Sequence, residues 1–322
     1  MLTFCFLCAL VPASACATAR GETRAAADDP ARPGTTVVDP RAPIRCDSCD
    51  AWNQPHAPFQ IFANTYYVGV EGLTALLITS PEGHVLIDGG LPQSAARVEE
   101  SLRALGFRLA DVKLHLLTHE HYDHAGGLAA LQAVSHAPVA AGEPAALALQ
   151  RGVPLADDPQ YASGKLHPFA PVAQVRAVAD GEVLRVGPLA ITAHRTPGHT
   201  PGGTSWTWRS CEGARCLDLV FADSLNPISE NGFRFTDAPG RVETFAAAIA
   251  KLAALPCDVL VTGHVGASAL ADKVAAGGRG DALVNPRACM ELAAALQKKL
   301  DERVAKERAS APALRRTAPS AR

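Results

Sequence analysis

Ten residues, 118–127, constrain this chain more than any other stretch of its sequence. They read Thr-His-Glu-His-Tyr-Asp-His-Ala-Gly-Gly, so His119, His121, Asp123 and His124 fall within six positions. The whole chain has only 11 histidines in 322 residues, which makes chance clustering a poor explanation. Neutral imidazoles with one carboxylate are typical of zinc sites that keep an open, reactive position. Because the stretch holds no cysteine, it predicts a catalytic metal site and not a closed structural one.

The residues before this cluster place it at the end of a strand. Leu-His-Leu-Leu at 114–117 is short and apolar and is followed by polar residues, which is typical of a buried strand. We therefore expect the cluster to lie in a loop at the carboxyl end of that strand. Histidines two positions apart in an extended loop can direct ring nitrogens to one point, and the Asp-His pair after them can reach a second. The pattern predicts two metals.

Length and composition indicate a globular protein that acts on a small molecule. The chain is long enough for one large domain or two small ones, and its 48% hydrophobic and 19% charged residues are ordinary for a globular protein. A net charge of −2, with Lys and Arg scattered along the chain, argues against a nucleic-acid partner. We expect a monomer with a small-molecule substrate.

The amino terminus has the pattern of an export signal. Residues 1–19 combine an apolar run with several Ala-x-Ala cleavage sites, although no Lys or Arg precedes the run. The run is too short to span a membrane, so we expect no stable membrane insertion and a periplasmic or secreted protein. Cys16, which follows Ala-Ser-Ala, leaves a lipoprotein open as an alternative. We predict a flexible lead-in over 20–45, a folded domain over 46–308 and a disordered tail over 309–322.

Beyond the signal, an even number of cysteines favours disulfides in an exported chain. They are Cys46, Cys49, Cys211, Cys216, Cys257 and Cys289. The middle two are close enough for a local pair, and the last two would close a longer loop. The first two, in Cys-Asp-Ser-Cys, have the spacing of a zinc or redox motif. A single such pair without a surrounding βαβ pattern favours a local disulfide instead.

Two later loops also carry a histidine next to a glycine after a predicted strand. Residues 196–203, Thr-Pro-Gly-His-Thr-Pro-Gly-Gly, contain His199, and residues 262–266, Thr-Gly-His-Val-Gly, contain His264. Both histidines are candidate metal ligands, since binding residues gather on loops that a scaffold positions. Asp88 also ends a predicted strand. It is either a simple turn former or an acceptor that orients a metal-bound imidazole through its other nitrogen.

The spacing of apolar residues predicts strands and helices in two similar halves. Predicted strands cover 59–70, 73–79, 84–87, 114–117, 138–141, 184–186, 189–194, 204–208, 218–222 and 258–261, and predicted helices cover 92–105, 125–134, 143–149, 242–255 and 289–308. Ligands at several strand ends converge only if two sheets open to one edge. We therefore predict an α/β fold, a four-layer αβ/βα sandwich with the site between the sheets. The Pro-rich residues 151–171 are predicted to form a lid or a wall of the site.

These residues together resemble the metallo-β-lactamase superfamily. The carrying motif is His119-Glu-His121-Tyr-Asp123-His124 with His199 and His264. Flanking segments resemble subclass B3 of the metallo-β-lactamases, and the AIM-type enzymes in particular. These segments are Leu-Thr-Ala-Leu-Leu at 73–77, Leu-Ile-Asp-Gly-Gly at 86–90, Thr-Pro-Gly-Gly-Thr-Ser-Trp-Thr-Trp at 200–208, Ala-Asp-Ser-Leu at 222–225 and Leu-Pro-Cys-Asp-Val-Leu at 255–260. The resemblance extends over about residues 52–308.

The resemblance implies both the cofactors and the reaction. It implies two Zn²⁺ ions, the first held by His119, His121 and His199 and the second by Asp123, His124 and His264. It further implies hydrolysis of the β-lactam ring of penicillins, cephalosporins and carbapenems, and hence antibiotic resistance. Zinc lowers the pKa of bound water to about 7, which supplies a nucleophile near neutral pH.

Three other positions take their roles from the same resemblance. Asp123 would also act in catalysis by orienting the nucleophile, and it could relay a proton. Ser224 matches a position whose hydroxyl helps bind the substrate carboxylate. Asn226 stands where a second hydroxyl residue is often found, and it can still donate a hydrogen bond; as an alternative it is a turn residue before Pro227.

Two departures from the family pattern are visible. Gly263-His264-Val265 stands where many members have Pro-His-Pro, which predicts a looser ligand loop. No cysteine lies near residues 70–72, where AIM-like enzymes place the partner of an amino-terminal cysteine, so Cys46 or Cys49 must pair differently.

Two other functions remain open at the level of sequence. The first is another hydrolase of the superfamily, a glyoxalase-type thioesterase or a lactonase. Asp223 discriminates here, because the resemblance implies that a carboxylate at this position bridges both metals in those relatives and not in the lactamase subclass. The second is an exported protein that stores zinc or binds a solute without turnover. Three ligands per metal leave open coordination positions, which argues against pure storage.

Overall fold

Two β-sheets enclose a common apolar core in the computed structural model, which describes residues 39–267 and 280–310. The first sheet contains, in spatial order, β1 (Phe59–Phe62), β2 (Thr65–Tyr67), β3 (Leu76–Ile78), β4 (His84–Ile87), β5 (Val112–Leu116), β6 (Val139–Gly142) and β7 (Val175–Val178). The second contains β8 (Val183–Val186), β9 (Leu189–Arg195), β10 (Thr204–Glu212), β11 (Arg215–Ala222) and β12 (Val259–Thr262), in the order β12-β11-β10-β9-β8. The predicted signal peptide and most of the predicted lead-in and tail lie outside the described residues.

The longer helices pack on the outer faces of the sheets, and two helices of four residues each lie beyond the strand ends. They are α1 (Cys49–Trp52), α2 (Ser94–Ala104), α3 (Tyr122–Ala125), α4 (Leu128–Ser135), α5 (Glu143–Arg151), α6 (Arg241–Ala253) and α7 (Ala288–Ala309), with 3-10 turns at Leu109–Asp111, Tyr161–Ser163, Phe235–Asp237, Val265–Ala267 and Gly280–Leu283. Successive strand residues point to opposite faces. In β4, Leu86 therefore packs with α2 and α4, while Val85 and Ile87 join the core between the sheets. On the far side, α6 and α7 cover β11 and β12. The predicted four-layer sandwich is confirmed.

Two tryptophans of β10 connect the sheets through polar as well as apolar contacts. Trp206 and Trp208 are buried in the core, and the indole N–H of each finds an acceptor on the opposite sheet or just beyond it. Trp206 donates to the carbonyl of Leu117 at 3.1 Å, and Trp208 donates to the hydroxyl of Thr65 at 3.0 Å. A buried indole needs such a partner. The bond from Trp206 also holds the chain directly before the histidine cluster.

The structure differs from the predicted elements in places that the spacing of apolar residues does not reveal. The predicted strand over 59–70 is two paired strands, β1 and β2, because the chain turns at Ala63, whose φ is 46°. The predicted helix over 125–134 begins earlier, with α3, and is interrupted before α4. At the interruption, the N–H of Gly127 donates to the carbonyl of Gly90 at 3.0 Å and not to the preceding helical turn, and a Cβ on Gly127 would lie 2.2 Å from the carbonyl oxygen of Gly89. The edge strand β7 was not predicted, since three of its four residues are partly or fully exposed.

All three predicted disulfides are present. Cys46 pairs with Cys49 at α1, Cys211 with Cys216 across the β10–β11 hairpin, and Cys257 with Cys289, which ties the approach to β12 to α7. Every helix in the described part of the chain is too short or too polar to span a bilayer.

The longest disulfide loop is expected to contribute most to stability. Cys257 and Cys289 are 32 positions apart, and Cys211 and Cys216 are five apart. On the chain-entropy model, replacing the first pair by alanines lowers the free energy of unfolding by roughly 3 to 4 kcal/mol, and replacing the second by roughly 2 kcal/mol. Equilibrium urea denaturation followed by tryptophan fluorescence measures both. Equal losses for the two double variants would contradict the loop-length argument.

Candidate metal centre

Six side chains from three separate loops meet at one edge of the two sheets. His119, His121 and His199 form one group and Asp123, His124 and His264 form a second, and within each group the candidate ligand atoms lie within 4.8 Å of one another. All are buried except His264, whose side chain is 33% exposed. The structure thus brings together all six of the side chains predicted to bind metal, as two groups of three. Together they define a dinuclear metal site.

The histidine loop is held in place by the end of β4. The carboxylate of Asp88 accepts hydrogen bonds from the backbone N–H and the hydroxyl of Thr118, each at 2.8 Å, and its Oδ2 lies 3.2 Å from Nδ1 of His124. Asp88 has a φ of 61°, so it also forms the turn that ends β4. Asp88 is thus a turn residue that also contacts the ring of His124. Its contact with Nδ1 leaves Nε2 of His124 free to face a metal.

Glu120 connects the first ligand loop to the second. Its buried carboxylate accepts hydrogen bonds from the hydroxyl of Thr200 and from the N–H of Gly202, each at 2.9 Å. The fit is close, since a Cβ on Gly202 would lie 2.4 Å from Glu120 Oε2. Burial raises the pKa of Glu120. No role for Glu120 was predicted from the sequence, because a carboxylate between two histidines does not reveal partners that lie 80 and 82 positions away.

Asp223 lies behind the first group and outside both. Its Oδ1 is 2.9 Å from Nδ1 of His119, but neither of its buried oxygens has a well-directed hydrogen bond. Burial raises the pKa of Asp223 well above its ordinary value. A buried carboxylate of this kind is unfavourable unless a positive charge lies nearby. A cation bound to His119 through Nε2 would supply that charge, so the residue fits a metal centre.

The charges around the ligands also suit a divalent ion. Burial lowers the pKa of His199 to about 3, and burial with the neighbouring imidazoles lowers the pKa of His119 well below its ordinary value, so both rings are neutral, as metal binding requires. Burial alone would raise the pKa of Asp123, but His124 and His264 hold it below its ordinary value. Burial opposes a charge on His124 as well, yet Asp123 and Asp88 raise its pKa to about 8. The second group thus favours positive charge at its centre.

A cavity of about 450 Å³ opens beside the two groups. Its floor carries His121, Asp123, His199 and His264, and its walls come from residues 45–52, from residues 160–167 and from Ile228. Trp52 packs against His264 with ring centroids 5.1 Å apart. The predicted wall over 151–171 therefore borders the site. The wall from residues 45–52 was not predicted, because apolar spacing gave no sign that this short segment returns to the metal edge.

The two predicted substrate-binding residues lie on the loop that follows β11. Ser224 and Asn226 are both half-buried, and Ile228 on the same loop lines the cavity. The backbone carbonyl of Asn226 accepts a hydrogen bond from Nδ1 of His199 at 2.9 Å. This contact positions a candidate metal ligand through the main chain, so it does not depend on the side chain at 226.

Comparison with known proteins agrees with this geometry. The sequence profile of the metallo-beta-lactamase superfamily matches residues 68–264, and the chain belongs to that superfamily. Its fold is similar to the solved structure of the Rm3 metallo-beta-lactamase, with 49% sequence identity, a TM-score of 0.79 and coverage of 82% of this chain and 100% of that one. It is also similar to MEM-A1, a subclass B3 metallo-beta-lactamase from a soil metagenome library, with 47% identity, a TM-score of 0.77 and coverage of 80% and 99%.

More distant similarity joins the chain to another kind of hydrolase. A hydroxyacylglutathione hydrolase of Rhodopseudomonas palustris (strain HaA2) is 28% identical over 189 residues, which are 58% of this chain and 60% of that protein. A second, from Methylococcus capsulatus (strain ATCC 33009 / NCIMB 11132 / Bath), is 29% identical over 170 residues, or 53% of each. The chain thus spans about half to three fifths of these curated relatives.

The role of Asp88 can be tested by removing one acceptor oxygen. Asp88→Asn replaces one of the two acceptor oxygens by an N–H₂ group, although the N–H and hydroxyl of Thr118 and Nδ1 of His124 all face this side chain. His124 is then expected to lose its orientation, so that the second metal binds about 10- to 100-fold more weakly. Native mass spectrometry after dialysis against metal-free buffer measures the metal content, with one metal expected where the parent protein keeps two. Asp111→Asn is the control, because Asp111 forms only a surface ion pair with Arg108, at 3.9 Å. Two retained metals in Asp88→Asn would contradict this role.

Proposed function

We propose that this protein is a zinc-dependent β-lactamase that hydrolyses the ring amide of penicillins, cephalosporins and carbapenems. The observation that carries the proposal is the division of the six ligands into two groups of three, with Asp223 outside both, in a fold similar to subclass B3 metallo-β-lactamases. A set of five imidazoles and one carboxylate, without thiolates, suits Zn²⁺. His119, His121 and His199 would hold the first ion, and Asp123, His124 and His264 the second.

The side chains at the site divide the work of an amide hydrolysis. When bound, the two ions would polarise the lactam carbonyl and lower the pKa of a water molecule. Asp123, which its histidine neighbours keep ionised, accepts a hydrogen bond from that water and orients it toward the carbonyl carbon. Asp123 can then pass the proton toward the departing ring nitrogen. The hydroxyl of Ser224 donates a hydrogen bond to the substrate carboxylate, and the side-chain amide of Asn226 donates a second hydrogen bond to it. The cavity walls exclude bulk water from the reaction.

The alternative is a thioesterase or a lactonase of the same superfamily. The similarity to hydroxyacylglutathione hydrolases keeps this function open. The position of Asp223 favours the lactamase, because its carboxylate approaches the outer nitrogen of His119 instead of lying between the two ligand groups. A bridging carboxylate would have to reach both groups.

We also propose where and in what form the enzyme acts. Three disulfides within the described residues favour an oxidising compartment, which supports export to the periplasm or beyond the cell after removal of residues 1–19. Residues 46–308 then form the catalytic domain, which acts as a monomer. Within subclass B3, the flanking motifs favour the AIM-type enzymes.

The first test of function is turnover with and without metal. The purified protein is expected to hydrolyse a carbapenem, to lose that activity in a chelator and to recover it when zinc is restored, because the reaction would require the metals that the six candidate ligands hold. Loss of the ring chromophore measures the rate. His199→Ala is the matched loss-of-site variant. A protein that binds two zinc ions but leaves penicillin, cephalosporin and carbapenem intact, while it hydrolyses a thioester or a lactone, would refute the lactamase and establish the alternative.

The role of Ser224 predicts a change in substrate binding. Removing one hydrogen bond to a carboxylate in Ser224→Ala is expected to raise KM for a penicillin roughly 10-fold with little change in kcat. Asn226→Ser, which restores a hydroxyl donor, is expected to keep KM near that of the parent. Steady-state kinetics measure both. A fall in kcat at constant KM in Ser224→Ala would assign the residue to the chemical step instead.

A further inference from the structure

One buried carboxylate beside the metal site belongs to the cavity wall and not to a ligand loop. Asp158 lies in the irregular segment between α5 and β7, and its Oδ2 is 2.9 Å from Nε2 of His121. Its side chain is only 1% exposed, and that of His121 is 7% exposed. Asp158 was not predicted from the sequence, because it is 37 positions from its partner in a stretch without apolar periodicity.

The segment that carries Asp158 is attached firmly at its base and sparsely at its tip. At the base, the N–H of Phe169 donates to the carbonyl of Gly152 at 2.9 Å, and Phe169 is buried. Between these two residues, the only buried positions are Asp158 and Pro159. The rest of the tip, from 160 to 167, faces the cavity or solvent. One further contact attaches the tip: the ring of His167 packs edge-on against that of Tyr122, with centroids 4.8 Å apart.

The backbone around Asp158 is folded about its carboxylate. Oδ1 accepts a hydrogen bond from the N–H of Gln160 at 2.7 Å, while Oδ2 faces His121. The carbonyl of Pro159 accepts a hydrogen bond from the N–H of Glu230 at 2.9 Å, on the loop that follows β11. One short turn thus contacts a candidate ligand of the first metal and the loop that carries Ser224 and Asn226.

The contact also selects which nitrogen of His121 is available to a metal. A neutral imidazole has one N–H and one lone pair. When Nε2 donates to Asp158, the lone pair is on Nδ1, which is the nitrogen left to face the other ligands of the first group. A carboxylate acceptor also makes the ring a stronger ligand.

We propose that Asp158 is a positioning residue that fixes His121 for the first metal and, through the same bond, fastens the cavity wall at 157–168 to the metal site. Coupling of this kind is reciprocal: if the wall contact strengthens metal binding, metal binding strengthens the wall contact by the same factor. Two measurements on the same variant therefore test one interaction. The metal measurement stands by itself, and only the kinetic measurement rests on the proposed β-lactamase function.

The test compares three variants of the full-length protein. Asp158→Ala removes the acceptor, Asp158→Asn keeps one oxygen that can accept from Nε2, and Asp157→Ala changes the exposed neighbour on the same turn. Competition with a chromophoric chelator measures zinc affinity, and cobalt(II) absorption reports the two sites separately. We expect Asp158→Ala to weaken the first site about 10- to 100-fold and leave the second unchanged, with Asp158→Asn intermediate and Asp157→Ala like the parent.

Hydrogen exchange of the amides at 157–168 gives the reciprocal measurement. In the parent, these amides are expected to exchange faster after metal removal. In Asp158→Ala they are expected to exchange fast with or without metal, while amides of the sheets keep their protection. Unchanged first-site affinity in both Asp158 variants, or wall protection that still responds to metal in Asp158→Ala, would overturn the proposal. If Asp158→Ala does not fold, Asp158→Asn alone decides it.

Kinetics separate this inference from the proposed function. At low free zinc, kcat for a carbapenem is expected to fall in Asp158→Ala and to recover as free zinc is raised, which a general packing defect would not do. If the parent protein hydrolyses no β-lactam but Asp158→Ala still loses first-site affinity, the function fails and the positioning role stands. If the parent is active and Asp158→Ala binds zinc normally, the β-lactamase function stands and the positioning role fails.

Discussion

The metal-binding edge of this fold depends on positive charge that balances a set of buried carboxylates. Behind the six candidate ligands lie four further buried acids, and three of them approach the outer nitrogen of a different histidine. Asp223 faces His119, Asp158 faces His121 and Asp88 faces His124, while Glu120 joins two ligand loops. Buried carboxylates in this number are unfavourable without nearby positive charge. Two divalent ions would supply that charge, so the acids that hold the histidines in place also favour metal binding between them.

Much of the site could be predicted from the sequence because its ligands follow apolar strands in short, polar, Gly-rich loops. His119, His121, Asp123 and His124 are contiguous, and His199 and His264 repeat the same local context, so chemistry and strand ends coincide. The residues behind them could not be predicted in the same way. Glu120, Asp158 and Trp52 act through partners that are distant in sequence, and a lone acid or tryptophan carries no periodic signal. The split of β1 from β2 was missed for a related reason, since both strands are apolar and only the backbone at Ala63 separates them.

The departure at Gly263-His264-Val265 has a structural explanation in this chain. A Cβ on Gly263 would lie 2.6 Å from Cε1 of His124. The ring of His124 therefore occupies the space that a side chain at position 263, directly before His264, would need. The loop is held instead by hydrogen bonds to two of its backbone carbonyls: the N–H of Thr74 donates to the carbonyl of Gly263 at 2.8 Å, and the hydroxyl of Thr262 donates to the carbonyl of His264, also at 2.8 Å. Hydrogen bonds to Thr74, which lies just before β3, and within the turn itself therefore offset the predicted looseness of this loop.

The two metal groups are consequently supported in different ways. In the first, His119 and His121 each face a buried carboxylate and His199 faces a backbone carbonyl, so all three rings have a fixed outer partner. In the second, Asp88 orients His124, whereas His264 is partly exposed and is steadied by the face of Trp52. Trp52 ends α1, which begins at Cys49 of the Cys46–Cys49 disulfide, and this segment forms one wall of the cavity. Two walls of the cavity therefore contact different metal groups: the wall at 157–168 contacts the first through Asp158, and the wall at 45–52 contacts the second through Trp52.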